Sequence, residues 1–519
     1  MSAAPVLPGD LLATTARARP TAVALVHDGR SFTYADLAER ADRVAGWLQA
    51  HGVRPGDRVT VYAPNSAAWV QAYHGILRSG AVVNPVNAML TTSELAYVLD
   101  DCGARVLCTT AAVLAALDGA VLSRLWAVVV LDELPSDLRA EGVEVVGLED
   151  VVAVGRAASP VALGPEDPAV IGYTSGTTGH PKGAVQSQGA VLLNWRLSAE
   201  AHGKTAADVV VTALPAPHVY GSVVLNGTFG TGGTVVLMSR FGARAAMDLV
   251  AEYRATLFEG VPAMYAMMLA DPGLDPADLA TLTRCTVGGQ TMAVSTMTAW
   301  EQASGAPLIE LWGMTELSGL GTTHPVGTER VHGSIGRPLP GMEARVADLD
   351  RPEVEAAVDR PGELWMRGPL VMTEYFGRPD ATAEVLAGGW LRTGDLVRRD
   401  AEGDLWVVDR CRDLIISGGY NVYPAEIERV LSGHPAVALV AVGPVPDEVK
   451  GEVARAYVVL RDGHRATEEE LIACARAELA AYKTPRSVVF VPALPQTSSG
   501  KIMRRMLREL PVAEEPGAR

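Results

Sequence analysis

The sequence predicts an α/β protein with a large N-terminal body of several subdomains, parallel sheets flanked by helices, and a small α+β domain at the C-terminal end. Three observations predict it. Helical and strand-like segments alternate through the first 160 residues. Short apolar runs at 169–172, 209–211 and 285–287 each end in a turn rich in Gly, Pro or hydroxyl residues, as buried parallel strands do. After Asp409-Arg-Cys-Arg-Asp413 the pattern changes to that of a compact α+β unit.

In chain order, Thr33 and Asp36 form a helix N-cap pattern, and Leu37, Ala41, Val44, Ala45 and Leu48 then share one helical face. Gly52–Gly56 turns the chain into a strand over 57–62. A second helix covers 67–77 and a strand 80–83. Trp47, Trp69 and His74 read as packing residues.

The run 169–172 leads into Tyr173-Thr-Ser-Gly-Thr-Thr-Gly-His-Pro-Lys-Gly183. Glycines let backbone N–H groups turn onto an anion, Ser175, Thr177 and Thr178 add short donors, and Lys182 adds a compact positive charge. Four or five charge-assisted hydrogen bonds at roughly 1.5–3 kcal/mol each hold a polyphosphate. A Walker-type loop is excluded, because Lys182 lies between Pro181 and Gly183 with no hydroxyl after it. The segment resembles the signature of the adenylate-forming superfamily, which includes acyl-CoA and aryl-CoA synthetases, luciferases and peptide-synthetase adenylation domains. The similarity runs over nearly the whole chain. It implies that Thr174, Ser175, Gly176, Thr177, Thr178, Gly179 and Lys182 cradle the phosphates of ATP.

Further along, the strand from Val209 delivers His218 to a loop, and 222–229 reads as an apolar helix. The resemblance puts His218 near the carboxylate being activated, without the role of an obligatory base. Residues 257–265 and 285–290 each look like a strand running into a turn. The resemblance lays Gly288, Gly289 and Gln290 against the adenine and the acyl group. In Glu310-Leu-Trp-Gly-Met-Thr-Glu316, Trp312 offers a ring face to a purine, with Gly313 beside it, and Thr315 a donor to the α-phosphate. Glu316 is a hard oxygen ligand suited to Mg²⁺. Asp395, after the glycines of 389–394, is implied to accept the ribose hydroxyls, with Arg410 as a second ribose or phosphate contact.

The expected division is a large adenylation domain over 1–409, a hinge at 410–413 and a lid over 414–519. Helices starting at Glu426 and Glu468 and strands at 437–442 and 452–460 fill the lid. The resemblance implies that Lys501 reaches the substrate carboxylate and α-phosphate in one orientation of a mobile lid. In another, Gly418, Gly419 and Tyr420 line a channel for the pantetheine thiol. Arg412 marks the hinge, where many relatives carry Lys or Asp.

At 519 residues the chain suits two or three domains. Its net charge of −16 argues against broad nucleic-acid binding. No apolar run is long enough to span a membrane, and the N-terminus lacks the pattern of a secretory signal. Five scattered cysteines without metal-ligand spacing point to a reducing cytoplasm and supply no nucleophile with a base beside it.

The implied chemistry is attack of a carboxylate on the α-phosphorus of ATP, release of pyrophosphate, and transfer of the acyl group to coenzyme A. Another acceptor (a carrier-protein thiol, an amine or a nucleophile such as nitrite) stays open, as does a catalytically dead nucleotide-binding regulator. The stretch 261–269 offers no arginine for a dicarboxylate such as malonate. Trp195, Tyr220 and the methionines fit either an apolar pocket for an aromatic or short-to-medium aliphatic acid, or core. Oligomeric state, including a homodimer, is left open.

Overall fold

The structure, a computed structural model, describes residues 7–174, 181–418, 420–447, 449–461, 463–495 and 502–510. Ser175, Gly176, Thr177, Thr178, Gly179, Gly419 and Lys501 therefore lie outside the described residues. The chain divides into two compact units. Met1–Ala344 with Met366–Leu391 form the first, and Arg345–Trp365 with Arg392–Arg519 the second.

The first unit is built on two sheets. One has eight strands in the order Glu374–Tyr375, Lys182–Ser187, Pro168–Thr174, Val82–Val86, Arg58–Tyr62, Val106–Thr109, Ala127–Val130 and Glu144–Gly147. From Pro168–Thr174 onward the pairs are parallel. The other sheet has nine, in the order Arg337–Pro338, Gly319–Thr323, Leu308–Met314, Arg284–Val287, Leu257–Gly260, Val209–Thr212, Thr234–Leu237, Val23–His27 and Arg30–Thr33. Its six central strands run parallel, which aligns their C-terminal ends along one rim.

Local sequence explains the helices that cover these sheets. Thr33 and Asp36 make a reciprocal capping box on Tyr34–Ala50, a device worth about 1 kcal/mol, and the five predicted face residues are all buried. Trp47, Trp69 and His74 are buried packing residues, as expected. Two boundaries differ from expectation. The strand expected at 80–83 is Val82–Val86, because Gly80 ends the preceding helix in a left-handed conformation (φ 87°). The segment after Leu257–Gly260 is no turn but a helix, Pro262–Leu269, since proline at the first helical position has its φ preset. Met264, Tyr265 and Met268 of that helix lie in a core cluster with Phe258 and Trp300, and Trp195 is equally buried. These side chains are core rather than pocket lining.

In the second unit, Tyr420–Val422, Ile415–Ser417, Gly451–Leu460 and Val437–Asp447 form an antiparallel sheet, and Ser487–Phe490 adds a parallel edge. Helices Pro424–Ser432 and Glu468–Glu478 cover it through Ile427, Leu431, Leu471 and Ala475.

Candidate active site

Ligands of open parallel sheets bind beyond the carboxyl ends of the strands. Here four adjacent parallel strands end at Thr212, Gly260, Val287 and Met314, and the loops that follow carry His218, Gly288, Gly289, Gln290 and Thr315. Backbone space decides two of these positions. A Cβ on Gly288 would meet Leu311 Cδ1 at 2.2 Å, and one on Gly313 would meet the Gly319 carbonyl oxygen at 2.1 Å. Gly289, with φ +87°, turns the chain outward and leaves Gln290 exposed. Trp312 is nearly buried, its ring edge against Gly321.

Glu316 sits in a single helical turn, Thr315–Leu317, held from two sides. Gln186 Nε2 donates to the Thr315 carbonyl at 3.0 Å, and Asn194 Nδ2 donates to the carbonyls of Leu317 and Leu320. A Cβ on Gly172 would lie 2.6 Å from the Thr315 methyl. Tyr375, on the short edge strand, donates its hydroxyl to Glu316 Oε1 at 2.7 Å. Lys182 Nζ lies 5.3 Å from the centre of the same ring. Burial and the neighbouring Glu316 carboxylate hold the Tyr375 phenol protonated, well above its ordinary range. The Tyr375 ring thus meets an ammonium over its face and a carboxylate at its hydroxyl. Thr174 is paired with Lys182 in the antiparallel ladder. Tyr375 had no sequence signal: its strand is two residues long and its partners are distant in the chain.

His218 caps the helix Val219–Thr231, its Nδ1 accepting from the Tyr220 N–H at 3.2 Å. The proton of the neutral ring is therefore on Nε2, which makes it a donor and not a base at that atom. Beneath this loop lies a fully buried polar chain. Tyr220 and Thr286 hydroxyls are 2.7 Å apart, Thr286 donates to Glu259 Oε1, and Lys204 Nζ pairs with Glu259 Oε2 at 2.6 Å.

In the second unit, Asp395 lies within the strand Trp390–Arg399, just after a left-handed kink at Gly394 (φ 72°). Its Oδ1 pairs with Arg410 Nε at 3.1 Å, from the neighbouring strand. Tyr420 is exposed and stacks on Tyr482 with ring centres 4.8 Å apart, and Gly418 beside it adopts φ +56°.

The donor set suits Mg²⁺. Glu316 is a buried hard carboxylate that would hold the ion, whose remaining ligands would come from water and nucleotide phosphates. Among the described residues no group of three or more His, Cys, Asp or Glu forms a ready-made metal cage. The thiols are poor nucleophiles: burial pushes Cys102 up to about 11, and Cys108, Cys285 and Cys411 up to about 12. Among the described residues no helix is long and apolar enough to cross a membrane.

Three buried groups near these strands give a pH test. Burial holds His74 and His202 neutral, down to about 3 and about 4. The stability they contribute is present above pH 6.5 and lost as pH falls toward those values. Burial raises Glu310 from 4.5 to about 7, so it acts in the opposite direction: between those values the folded chain holds a proton that the unfolded chain lacks. Each group contributes about 1.4 kcal/mol per pH unit within its window. Glu310→Gln removes the offset. Between pH 6 and pH 5, its unfolding free energy in urea should therefore fall more steeply than that of the parent, by about 1.4 kcal/mol per pH unit. Equal slopes would mean that Glu310 is ionised throughout.

Comparison with known proteins finds relatives along nearly the whole chain. The model of the AMP-binding enzyme family matches residues 12–376, and that of its C-terminal domain residues 426–501. A feruloyl-CoA synthase of Amycolatopsis sp is 38% identical over 95% of this chain and 96% of its own length. A long-chain-fatty-acid–CoA ligase of Bacillus subtilis (strain 168) is 33% identical over 96% and 93%. The crystal structure of an anthranilate CoA ligase in complex with anthranoyl-AMP superposes with a TM-score of 0.89 at 28% identity, covering 97% of each chain. These two family models and these relatives show that the chain belongs to the AMP-binding enzymes, as an acyl- or aryl-CoA synthetase of the adenylate-forming superfamily that activates a carboxylic acid with ATP and transfers it to coenzyme A.

Proposed function

We propose that the acid is aromatic and that Lys182, Tyr375 and Glu316 form the phosphate side of the active site. The second point is carried by the Tyr375 ring, which has the Lys182 ammonium over its face and the Glu316 carboxylate at its hydroxyl. Lys182 neutralises phosphate charge, the Thr315 hydroxyl donates to the α-phosphate, and Glu316 holds Mg²⁺. When bound, the ion screens the charge of the β- and γ-phosphates. Trp312 with Gly313, Gly288, Gly289 and Gln290 borders the adenine and the acyl group, while Asp395 and Arg410 serve the ribose. His218 donates from Nε2 to the acid carboxylate, which keeps that group oriented for attack on the α-phosphorus. Thr174, Ser175, Gly176, Thr177, Thr178 and Gly179 complete the cradle. Gly418, Gly419 and Tyr420 guide the thiol that displaces AMP. Lys501 supplies the positive charge that adenylation needs and thioester formation does not.

An aromatic acid is supported by the higher identity to the feruloyl-CoA synthase than to the long-chain-fatty-acid ligase, and by the aryl adenylate held in the anthranilate CoA ligase. The test is a panel of free acids scored by pyrophosphate exchange. Hydroxycinnamates, indole acids or benzoates should exceed palmitate in kcat/KM by about a hundredfold. Highest kcat/KM for an aliphatic acid would refute the aromatic assignment. In the same assay Lys501→Ala should lose exchange by about 10²–10³-fold and still transfer a supplied acyl-adenylate to coenzyme A. Equal loss of both half-reactions would remove Lys501 from the adenylation step.

A further inference from the structure

The helix Thr92–Cys102 belongs to neither the cradle nor the acyl side, yet its Asp101 reaches both segments that flank Lys182. One carboxylate oxygen, Oδ2, accepts from the Tyr173 hydroxyl at 2.7 Å. The other, Oδ1, accepts from Arg378 Nη2 at 2.6 Å and from Tyr97 at 3.4 Å. Arg378 also donates to the Tyr97 hydroxyl at 3.0 Å. The Asp101 side chain is only 11% exposed, while that of Arg378 is 45% exposed, so the Tyr173 bond is the sheltered half of the arrangement.

What the two bonds hold decides their meaning. Tyr173 is paired with Gly183 across the ladder, and its ring covers that glycine so closely that a Cβ there would lie 3.1 Å from Tyr173 Cζ. Gly183 is the residue after Lys182, and its carbonyl accepts from the Phe376 N–H at 2.7 Å. Arg378 follows Tyr375 by three residues, and its backbone N–H closes a turn on the Tyr375 carbonyl. Lys182 stands on one side of this arrangement and Tyr375 on the other. Asp101 ties both to one helix end.

We infer that Asp101 is a positioning residue for nucleotide binding. Through Tyr173 and Arg378 it fixes the register of the Lys182 strand against the Tyr375 segment, and so the placement of the Lys182 ammonium and the Glu316 carboxylate relative to each other. It touches no substrate. Its loss leaves the half-buried Tyr173 hydroxyl without its acceptor and releases Arg378 from its carboxylate. The inference rests on the reading of Lys182 as a phosphate ligand.

The test measures KM for ATP and for the acid in pyrophosphate exchange, with thermal unfolding of each variant. Asp101→Ala should raise KM for ATP about tenfold and leave KM for the acid within about twofold. Asp101→Asn retains an acceptor for Tyr173 and should recover most of the loss. Tyr173→Phe deletes a single oxygen atom, keeps the ring over Gly183, and should raise KM for ATP severalfold. Added to Asp101→Ala, it should cost nothing further, because the two residues act through one bond. Should Asp101→Ala not fold, Tyr173→Phe alone decides. An unchanged KM for ATP, an equal rise in both KM values, or additivity of the two variants would overturn the inference. Lys182→Ala separates the two levels. If it too leaves KM for ATP unchanged, the phosphate-side reading falls; if it raises that KM while Asp101→Ala does not, only the positioning role of Asp101 falls.

Discussion

Glu316→Gln is expected to lower acid-dependent pyrophosphate exchange by about 10²–10³-fold with no comparable loss of stability. The substitution keeps the shape of the side chain and an oxygen to accept from the Tyr375 hydroxyl 2.7 Å away. What it removes is the negative charge that makes the group a ligand for a hard cation. The surrounding turn, held by Gln186 and Asn194, should stay in place. Tyr375→Phe makes the complementary change, leaving the charge and removing the bond that orients it, and its loss should be smaller. Exchange by Glu316→Gln within tenfold of the parent would exclude Glu316 as the metal ligand. A drop in melting temperature of both variants, matched to their loss of exchange, would give the bond a structural role instead.

Lys204→Met should be the most destabilising substitution in the first unit, by about 3–5 kcal/mol in urea unfolding. Lys204 and Glu259 are 2% and 1% exposed, and the lysine also donates to Thr228 and to the Val224 carbonyl. Removing the cation leaves a carboxylate buried in the sheet and hydrogen-bonded, among the described residues, to the Thr286 hydroxyl. Adding Glu259→Gln to Lys204→Met should return more than half of the loss, since the stranded charge disappears with it. A double variant as unstable as the single one would place the cost in packing. Because Thr286 also meets the Tyr220 hydroxyl, the single variant should raise KM for the acid more than KM for ATP.

Where one segment carries its own signal, the fold was legible in the sequence. The capping box at Thr33, the apolar face from Leu37 to Leu48 and the buried strands ahead of each turn all stand where local pattern put them. Pro262 misled, because a proline after a strand marks a turn and a helix start equally well. The site was legible as an ordered series of motifs, and that order is what the family models also match. Its supporting contacts were not. Lys204 follows a helix like any solvated lysine, and nothing near Glu259 announces a partner 55 residues earlier. Tyr375 and Asp101 acquire their importance only when distant strands are brought together. Trp195, Met264 and Met268 have the composition of a binding pocket, and only their burial assigns them to the core.

The path of the chain has a practical consequence. The polypeptide passes from the first compact unit to the second after Ala344, returns at Met366 and leaves again after Leu391. A fragment truncated at 344 would thus forfeit Tyr375 and Arg378, however well its two sheets folded. Anyone seeking a minimal nucleotide-binding fragment should carry the expression boundary through at least Leu391, or graft the returning loop. Cleavage by a protease at a single junction would leave the halves still covalently threaded together.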